Sequence, residues 1–479
     1  MAAKSTLNQK NLEALGATRL AELLLEFTEG NAAAKRKLRL ELAAKFEPGA
    51  VAREVKKRLS ALARARSFVD WRKMKALAED LDAQRAAIVD QVAKVDAEEA
   101  YELMWRFLAL AEPTYDRADD SDGGIGPIFA DACEDLGTLA AATKPDIDTL
   151  AERIFTALQD NGYGQYDGLI PVLAPVLRTD GLHLLKARFE DLAQAPEEKP
   201  ADDGDRQVIG WSSRGPIYED EIRASMREST ISMAMKDIAE ALGDVDSYIA
   251  QFSEEAQKVP RVAADLANRL LAAGRPDEAL QFLERADRDY GALRGGEWND
   301  VYIDTLEALG RCDEAQTVRW DSFCASLGKE RLRDYLKRLP DFDDVEAELR
   351  AFEIAMRYPS VHQALSFLVS WPAHNKAADL VLERADEIDG DHYYILTPAA
   401  EKLEGRHPLA ATVLRRAMID FALRAARNKR YKHAAKHLLE CKSAASQIDD
   451  FGKFGAHTEY VRRLKDEHGR KTGFWKHVT

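Results

Sequence analysis

The sequence predicts an all-α fold, an α-α superhelix or solenoid of stacked helical hairpins. Three observations carry that prediction. The hexapeptide Gly274-Arg275-Pro276-Asp277-Glu278-Ala279 recurs 36 residues later as Gly310-Arg311-Cys312-Asp313-Glu314-Ala315, and a fixed period of this length marks stacked supersecondary units. Ala, Leu, Glu and Arg are abundant, and all four favour helix. Only 16 Pro and 27 Gly interrupt 479 residues, which argues against a mainly disordered chain.

The elements follow in order. Residues 6–46 predict two helices separated near Gly30-Asn31, and Pro48-Gly49 breaks the pattern. Residues 50–66 predict an amphipathic helix with Val51, Val55, Leu59 and Leu62 on one side. Another runs from Trp71 to Asp90, and the next holds Tyr101, Trp105, Leu108 and Leu110 as buried anchors. The polar, Gly-rich stretch from Asp119 to Pro127 is a loop. Helices follow at 128–141, 146–160, 166–178 and 180–194, with Asp180-Gly181 as the last break. Residues 1–195 thus form an N-terminal helical-hairpin region. Residues 196–218 form a linker, Pro- and acid-rich at first and then extended or irregular.

Residues 219–479 form a helical-repeat region with a basic C-terminal cap. A helix at 219–241 ends at Gly243-Asp244. Helices are then predicted at 245–256, 260–272, 276–289, 297–309, 313–327, 329–337, 343–356, 360–369 and 374–387. Pro398–Glu404 reads as a short helical turn. Residues 408–427 form a long helix with Ala410, Val413, Ala417, Phe421 and Ala425 on one face, followed by helices at 431–447 and 456–468.

The repeated hexapeptide has a local physical logic. Its Gly ends one helix in the left-handed conformation. Pro276 starts the next, where its missing N–H is not needed. Asp277-Glu278 and Asp313-Glu314 place negative charge at the positive end of the following helix dipole. Ala279, Leu283 and Ala286 then share one face.

The net charge of −15 is segregated. Residues 35–75 hold 14 Lys/Arg against 4 Asp/Glu, residues 96–160 hold 4 against 16, and residues 402–479 hold 18 against 8. Two basic ends flank an acidic middle. Such asymmetry fits a nucleic-acid or acidic-partner surface, and it fits equally a chain whose basic ends fold onto its acidic part. Cys133, Cys312, Cys324 and Cys441 form no Cys-x-x-Cys or Cys-x-Cys pair, so neither a zinc ribbon nor a disulfide framework is present. A reduced compartment follows. No signal-peptide core follows Met1, and no run approaches 18 apolar residues, so the expected location is cytoplasmic.

From residue 244 onward the chain resembles degenerate tetratricopeptide repeats. Ala267, Ala279 and Ala286 match the small-residue positions, and the second copy keeps Ala315 but carries Arg319 and Ser322 where packing residues belong. A closer resemblance rests on Leu339-Pro340-Asp341-Phe342-Asp343-Asp344, Arg406-His407-Pro408-Leu409-Ala410-Ala411-Thr412, Tyr431-Lys432-His433-Ala434-Ala435 and His468-Gly469-Arg470-Lys471-Thr472-Gly473-Phe474-Trp475. These look like an uncharacterised bacterial helical-repeat family of unknown function, matched most securely over 230–479. Similar helices follow the zinc finger of bacterial SWIM-type proteins, but the Cys-x-Cys and Cys-x-His pairs of that finger are missing here. The resemblance implies a helical fold, no zinc and no transferable activity.

Chemical motifs are sparse. His433 and His437 lie four apart on a predicted helix, a spacing that suits two metal ligands. No Glu completes a hydrolase motif there and no third ligand can be named, so no metal is assigned. Asp122-Gly123-Gly124-Ile125-Gly126 lacks the Lys-Ser/Thr of a phosphate loop, and Gly210-Trp211-Ser212-Ser213-Arg214-Gly215 misses the serine elbow. No catalytic residue and no cofactor site is assigned. Asp343-Asp344 and Asp449-Asp450 read as caps or solvated charges.

The C-terminal end is the richest in candidate binding residues. Arg427, Arg430, His433, His437, His468, Arg470, Lys471 and Trp475 combine cations with an aromatic face, which can pair with phosphate and stack on a base. Alternatively Phe474 and Trp475 fold back to cover the last apolar face, as a solenoid end requires. The expected function is a non-enzymatic scaffold that binds an unidentified protein or peptide. The alternative is a nucleic-acid-associated protein that uses its basic ends. No membrane partner is expected.

Overall fold

The computed structural model describes residues 7–30, 34–36, 38–39, 42, 49–196, 207–213, 215–287 and 296–478. Much of the second predicted helix before residue 48, the 197–206 part of the linker, Arg214 and the 288–289 end of one predicted helix lie outside them. The described residues have helical regular structure apart from one two-stranded hairpin and an isolated bridge. They divide into two compact units, Met1–Ser253 and Glu254–Thr479.

In the first unit, short helices Gln9–Glu13 and Ala17–Thr28 precede α1 (Ala50–Ala63). Val51, Val55, Leu59 and Leu62 of α1 are buried, so the predicted apolar side is the packed one. α2 (Trp71–Ala87) passes into one wider π turn, Ile88–Val92. α3 (Ala97–Leu108) is capped by Asp96, whose side chain accepts from the Glu99 N–H at 3.0 Å. Tyr101, Trp105, Leu108 and Leu110 are all buried. The 119–125 loop is ordered by Asp120, whose Oδ1 accepts from Gly124 at 2.7 Å.

α4 (Gly126–Thr143) and α5 (Ile147–Gln159) follow, then α6 (Leu169–Gln194). α6 consists of two helical runs joined across a kink, as the sequence predicts. Its break falls at Arg178, with φ of 54°, and Gly181 stays helical. β1 (Val208–Ser212) and β2 (Gly215–Tyr218) pair antiparallel, with Ser212 opposite Gly215 and a bulge between Val208 and Gly210. The irregular segment is thus a small hairpin. α7 (Glu219–Leu242) packs on α5 and α6 and adds Ala234 and Ile238 to the first unit's core. The two compact units meet in the chain at Ser253 and Glu254, and the β1–β2 hairpin belongs to the first. The apolar stripe of α7 closes back over α6.

In the second unit most helices pack on the next and several on the one after. The order is α8 (Pro260–Ala272), α9 (Pro276–Arg285), α10 (Glu297–Ala308), α11 (Cys312–Ser326), α12 (Lys329–Leu336) and α13 (Asp343–Met356). α14 (Val361–Ser370), α15 (His374–Glu383), α16 (Tyr393–Leu403), α17 (Pro408–Arg424) and α18 (Tyr431–Ala444) continue the series. α19 (His457–His468) and the single turn α20 (Thr472–Trp475) close it. α8 meets both α9 and α10, and α14 meets both α15 and α16. This is the contact pattern of stacked hairpins.

The two hexapeptides have one geometry. Gly274 and Gly310 have φ of 73° and 72°. Arg275 bridges Glu278 with two bonds of 2.7 Å, and Arg311 bridges Glu314 with two of 2.6 Å. Ala279, Leu283 and Ala286 are buried as their spacing predicts.

Three sequence expectations need correction. Pro398 sits inside α16 instead of starting a turn. The carbonyl it leaves without an intrahelical donor belongs to Tyr394, whose side chain is exposed, so water can serve it. α17 does not bury a single face: Ala411, Leu414, Arg415, Met418 and Ile419 are buried as well as Ala410 and Val413, while Ala425 is exposed. α17 is enclosed by α15, α16 and α18. Arg319 is itself a packing residue. Its guanidinium is buried and meets Glu307 at 2.6 Å, so an ion pair replaces the apolar contact of the other repeat.

Candidate functional site

The C-terminal candidate residues separate into three places. At the α17–α18 turn, Ala426 takes φ of 50° and the Arg427 N–H bonds Ala422 O at 3.0 Å, which leaves the Arg427 side chain exposed. Arg430 turns inward, pairs with Asp391 at 2.6 Å and lies 4.6 Å from the Tyr393 ring centroid. Its charge is used within the fold.

The second place is the middle of α18. His433 is exposed, whereas His437 is half-buried with Nδ1 3.0 Å from Glu440. Burial holds the His437 pKa below its ordinary value, and the Glu440 contact only partly offsets this. Glu440 also meets Arg415 Nε at 2.9 Å, and Arg415 meets Glu404 at 2.9 Å. Arg415 is 2% exposed, so this is a buried structural network. Among the described residues no group of three or more His, Cys, Asp or Glu is placed to hold a metal ion.

The third place is the chain's last turn. Phe474 is fully buried against Tyr431, with ring centroids 6.2 Å apart. Trp475 packs edge-on to Phe474 at 5.0 Å and donates Nε1–H to the carbonyl of His468 at 3.0 Å. Lys471 Nζ lies 3.4 Å from the Tyr431 hydroxyl, and Arg470 is exposed. Phe474 and Trp475 therefore act as a lid on the last apolar cluster, formed by Ile419, Leu423, Leu438 and Leu464.

Three surface features are not evident from sequence spacing alone. The first lies on α13. Its inward stripe is Ala347, Ala351 and Ala355, all buried. Apolar side chains also face out: Val345, 56% exposed, and Leu349, 55%, lie on one side of the helix, and Phe342, the left-handed residue just before it, is 85% exposed. Asp341, Asp343, Asp344 and Glu346 are exposed around these side chains. A helix that is apolar on two faces needs only one of them for its own core, and the other is available to a partner.

The second feature is the loop before α2. Val69 forms a parallel bridge with Ala118: its N–H bonds Arg117 O at 2.7 Å and its carbonyl accepts from Asp119 at 3.0 Å. The bridge holds Phe68 and Trp71 outward, 66% and 63% exposed, beside Arg66, Arg72 and Lys73. The same bridge brings the acidic 116–122 loop alongside. Two other N-terminal cations are already paired, since Arg36 and Arg58 both bond the buried Asp80, at 3.0 and 2.9 Å.

The third is a cleft of about 700 Å³ among α18, α19 and α20, lined by Leu438, Lys442, Val461, Lys465 and Trp475. None of these features brings a nucleophile, a base and an orienting group together.

With this geometry in view, comparison with known proteins places the chain in one family. A family of unknown function (DUF6880) matches residues 2–477, and the chain belongs to it. No curated protein matches the chain. Among solved structures it is similar to a circular tandem repeat protein with novel repeat topology and enhanced subunit contact surfaces. That likeness has 14% identity and a TM-score of 0.17, over 94% of this chain and 96% of the other. At that score the two backbones do not superpose, and the helical architecture rests on this chain's own elements.

Proposed function

We propose that the protein is a non-enzymatic interaction scaffold whose partner is a protein or peptide. The observation that carries the reading is the outward apolar patch of Val345 and Leu349 on α13 with Phe342 at its N-cap. Val345 and Leu349, four apart, share one helix face, the spacing by which helical surfaces engage partners, and Phe342 extends the patch at the helix start. The acidic residues around the patch favour a partner with basic flanks. Cytoplasmic location belongs to the same proposal. It is supported by four free cysteines, and no described helix is long and apolar enough to cross a membrane.

The test is a photo-crosslinking amino acid at the exposed position Glu346, in the full chain expressed in its source organism. A discrete adduct is expected, lost in the Val345→Asp/Leu349→Asp double variant with unchanged circular dichroism. A wild-type chain that yields no discrete adduct overturns the reading. So does purified protein that turns over a small substrate.

One observation favours a second reading, binding of single-stranded nucleic acid at the pinned loop. Phe68 and Trp71 offer stacking faces beside Arg66, Arg72 and Lys73. The adjoining acidic loop opposes it. Retardation of a labelled single strand at low salt, falling steeply with added salt and lost in Phe68→Ala/Trp71→Ala, is the expected result. No retardation at low salt ends this reading.

A further inference from the structure

The cleft among α18, α19 and α20 has an unusual division of chemistry. Leu438, Val461, Trp475 and Val478 form apolar walls around a space of about 700 Å³. Lys442 and Lys465 stand on the lining as exposed cations. Neither has a carboxylate partner among the described residues, and no Asp or Glu is part of the lining. Asp466, next to Lys465 in the chain, is exposed and outside the lining, and three other nearby acidic groups have partners of their own. Glu440 faces Arg415 and His437, Glu459 accepts from the Ala456 N–H at 3.2 Å, and Glu467 lies 3.8 Å from Arg463. His457 also lines the space, but burial and the charge of Arg416 keep its pKa below the ordinary value, so it adds no cation near neutral pH.

The walls are held by the fold and not by a ligand. Leu438 belongs to the buried cluster beneath, and Trp475 is fixed by Phe474 and by its bond to His468 O. A preformed space of this size with apolar walls and few polar groups has the character of a small-molecule site. Beside the neutral polar side chains of His457 and Thr458, its charged groups here are cations only. A neutral apolar ligand would leave them unused, and a cationic amphiphile would be repelled.

We propose that this cleft binds a small amphipathic monoanion, a carboxylate whose alkyl or aryl tail lies on Leu438, Val461, Trp475 and Val478 while its head meets Lys442 and Lys465. The proposal goes beyond the scaffold reading and does not rest on it. The α13 patch and the cleft share no residue.

The probe is decanoate, below its micellar concentration, titrated calorimetrically into the full-length protein. Saturable one-to-one binding is expected. Affinity should rise about fourfold for each methylene from hexanoate to decanoate, as each is removed from water. Decyltrimethylammonium should not bind. Lys442→Ala/Lys465→Ala should weaken decanoate at least tenfold, while Lys442→Arg/Lys465→Arg retains it. Thr458→Trp, at an exposed position of the lining, should block the space with the fold intact. Phe342→Asp should leave binding unchanged, which separates this proposal from the scaffold reading.

Absence of saturable binding to the wild type overturns the proposal. Equal binding of the cationic and anionic amphiphiles does so too, as does an unchanged double-alanine variant. Binding to anionic vesicles or to an acidic amphipathic peptide, with none to monomeric decanoate, also overturns it and assigns the cleft to a membrane or to a partner protein.

Discussion

Removing the Phe474 side chain should loosen the last hairpin without unfolding the rest of the second unit. Phe474 has no solvent-exposed surface and lies between Tyr431 and Trp475, over Ile419, Leu423 and Leu464. Truncating a fully buried Phe to Ala costs about 3–5 kcal/mol from lost transfer energy and the cavity left behind. The site is at a chain end, where neighbours can relax into the space, so the lower bound of about 3 kcal/mol is the better figure. That corresponds to roughly a 100-fold rise in the opening equilibrium of the segment.

Trp475→Ala is the internal control. Trp475 is only half-buried and contributes one hydrogen bond to His468 O, so its loss should cost about 1–2 kcal/mol. A single denaturation midpoint would mix the transitions of two compact units. The assay is therefore hydrogen exchange resolved by peptide. Protection should fall across 431–468 in Phe474→Ala, less so in Trp475→Ala, and stay unchanged across 260–336. Equal protection of 431–468 in wild type and Phe474→Ala would refute the lid argument. So would a larger loss in Trp475→Ala.

Other consequences follow from backbone geometry and burial. A Cβ at Gly390 would stand 2.1 Å from Ala417 O and 2.7 Å from Phe421 Cβ, so Gly390→Ala should force α17 away and destabilise the second unit severely. Gly274→Ala meets open space and bears only the cost of φ at 73°, about 1 kcal/mol by denaturant titration. Burial raises the Asp237 pKa to about 6, above its unfolded value. Its contribution is therefore favourable at low pH and lost as pH rises through about 6. Asp237→Asn should raise the melting temperature at pH 7.5 and leave it unchanged at pH 4. His437 and His457 have folded pKa values lowered by burial. They bind protons more readily unfolded, so protection of α18 and α19 should decline as pH falls below about 6.5. Burial pushes the Cys133 and Cys441 thiols up to about 12. An aromatic disulfide reagent should label exposed Cys312 in the folded protein and reach those two only on unfolding.

The sequence by itself determined what short-range physics determines. Helices and their ends follow from local periodicity, Gly turns and acidic first turns, and the two hexapeptides fold alike because every contact that defines them lies within about eight residues. The α1 and α9 apolar faces were legible for the same reason. What decides function was not local. Arg430 reads as a binding cation and Arg319 as a departure at a packing position, yet both, like Arg415, pair with a carboxylate from another element, and only packing reveals it. α17 is enclosed on several sides because three other helices surround it, which no periodicity within α17 records. Val345 and Leu349 spell an ordinary amphipathic spacing; the tertiary structure chose the alanines of α13 for the core and left the larger side chains outside. The cleft is assembled from α18, α19 and the turn that carries Trp475, three elements that only the tertiary structure brings together. A surface is assembled from elements far apart in the chain, and so the fold was readable from sequence while the places where the protein can bind were not.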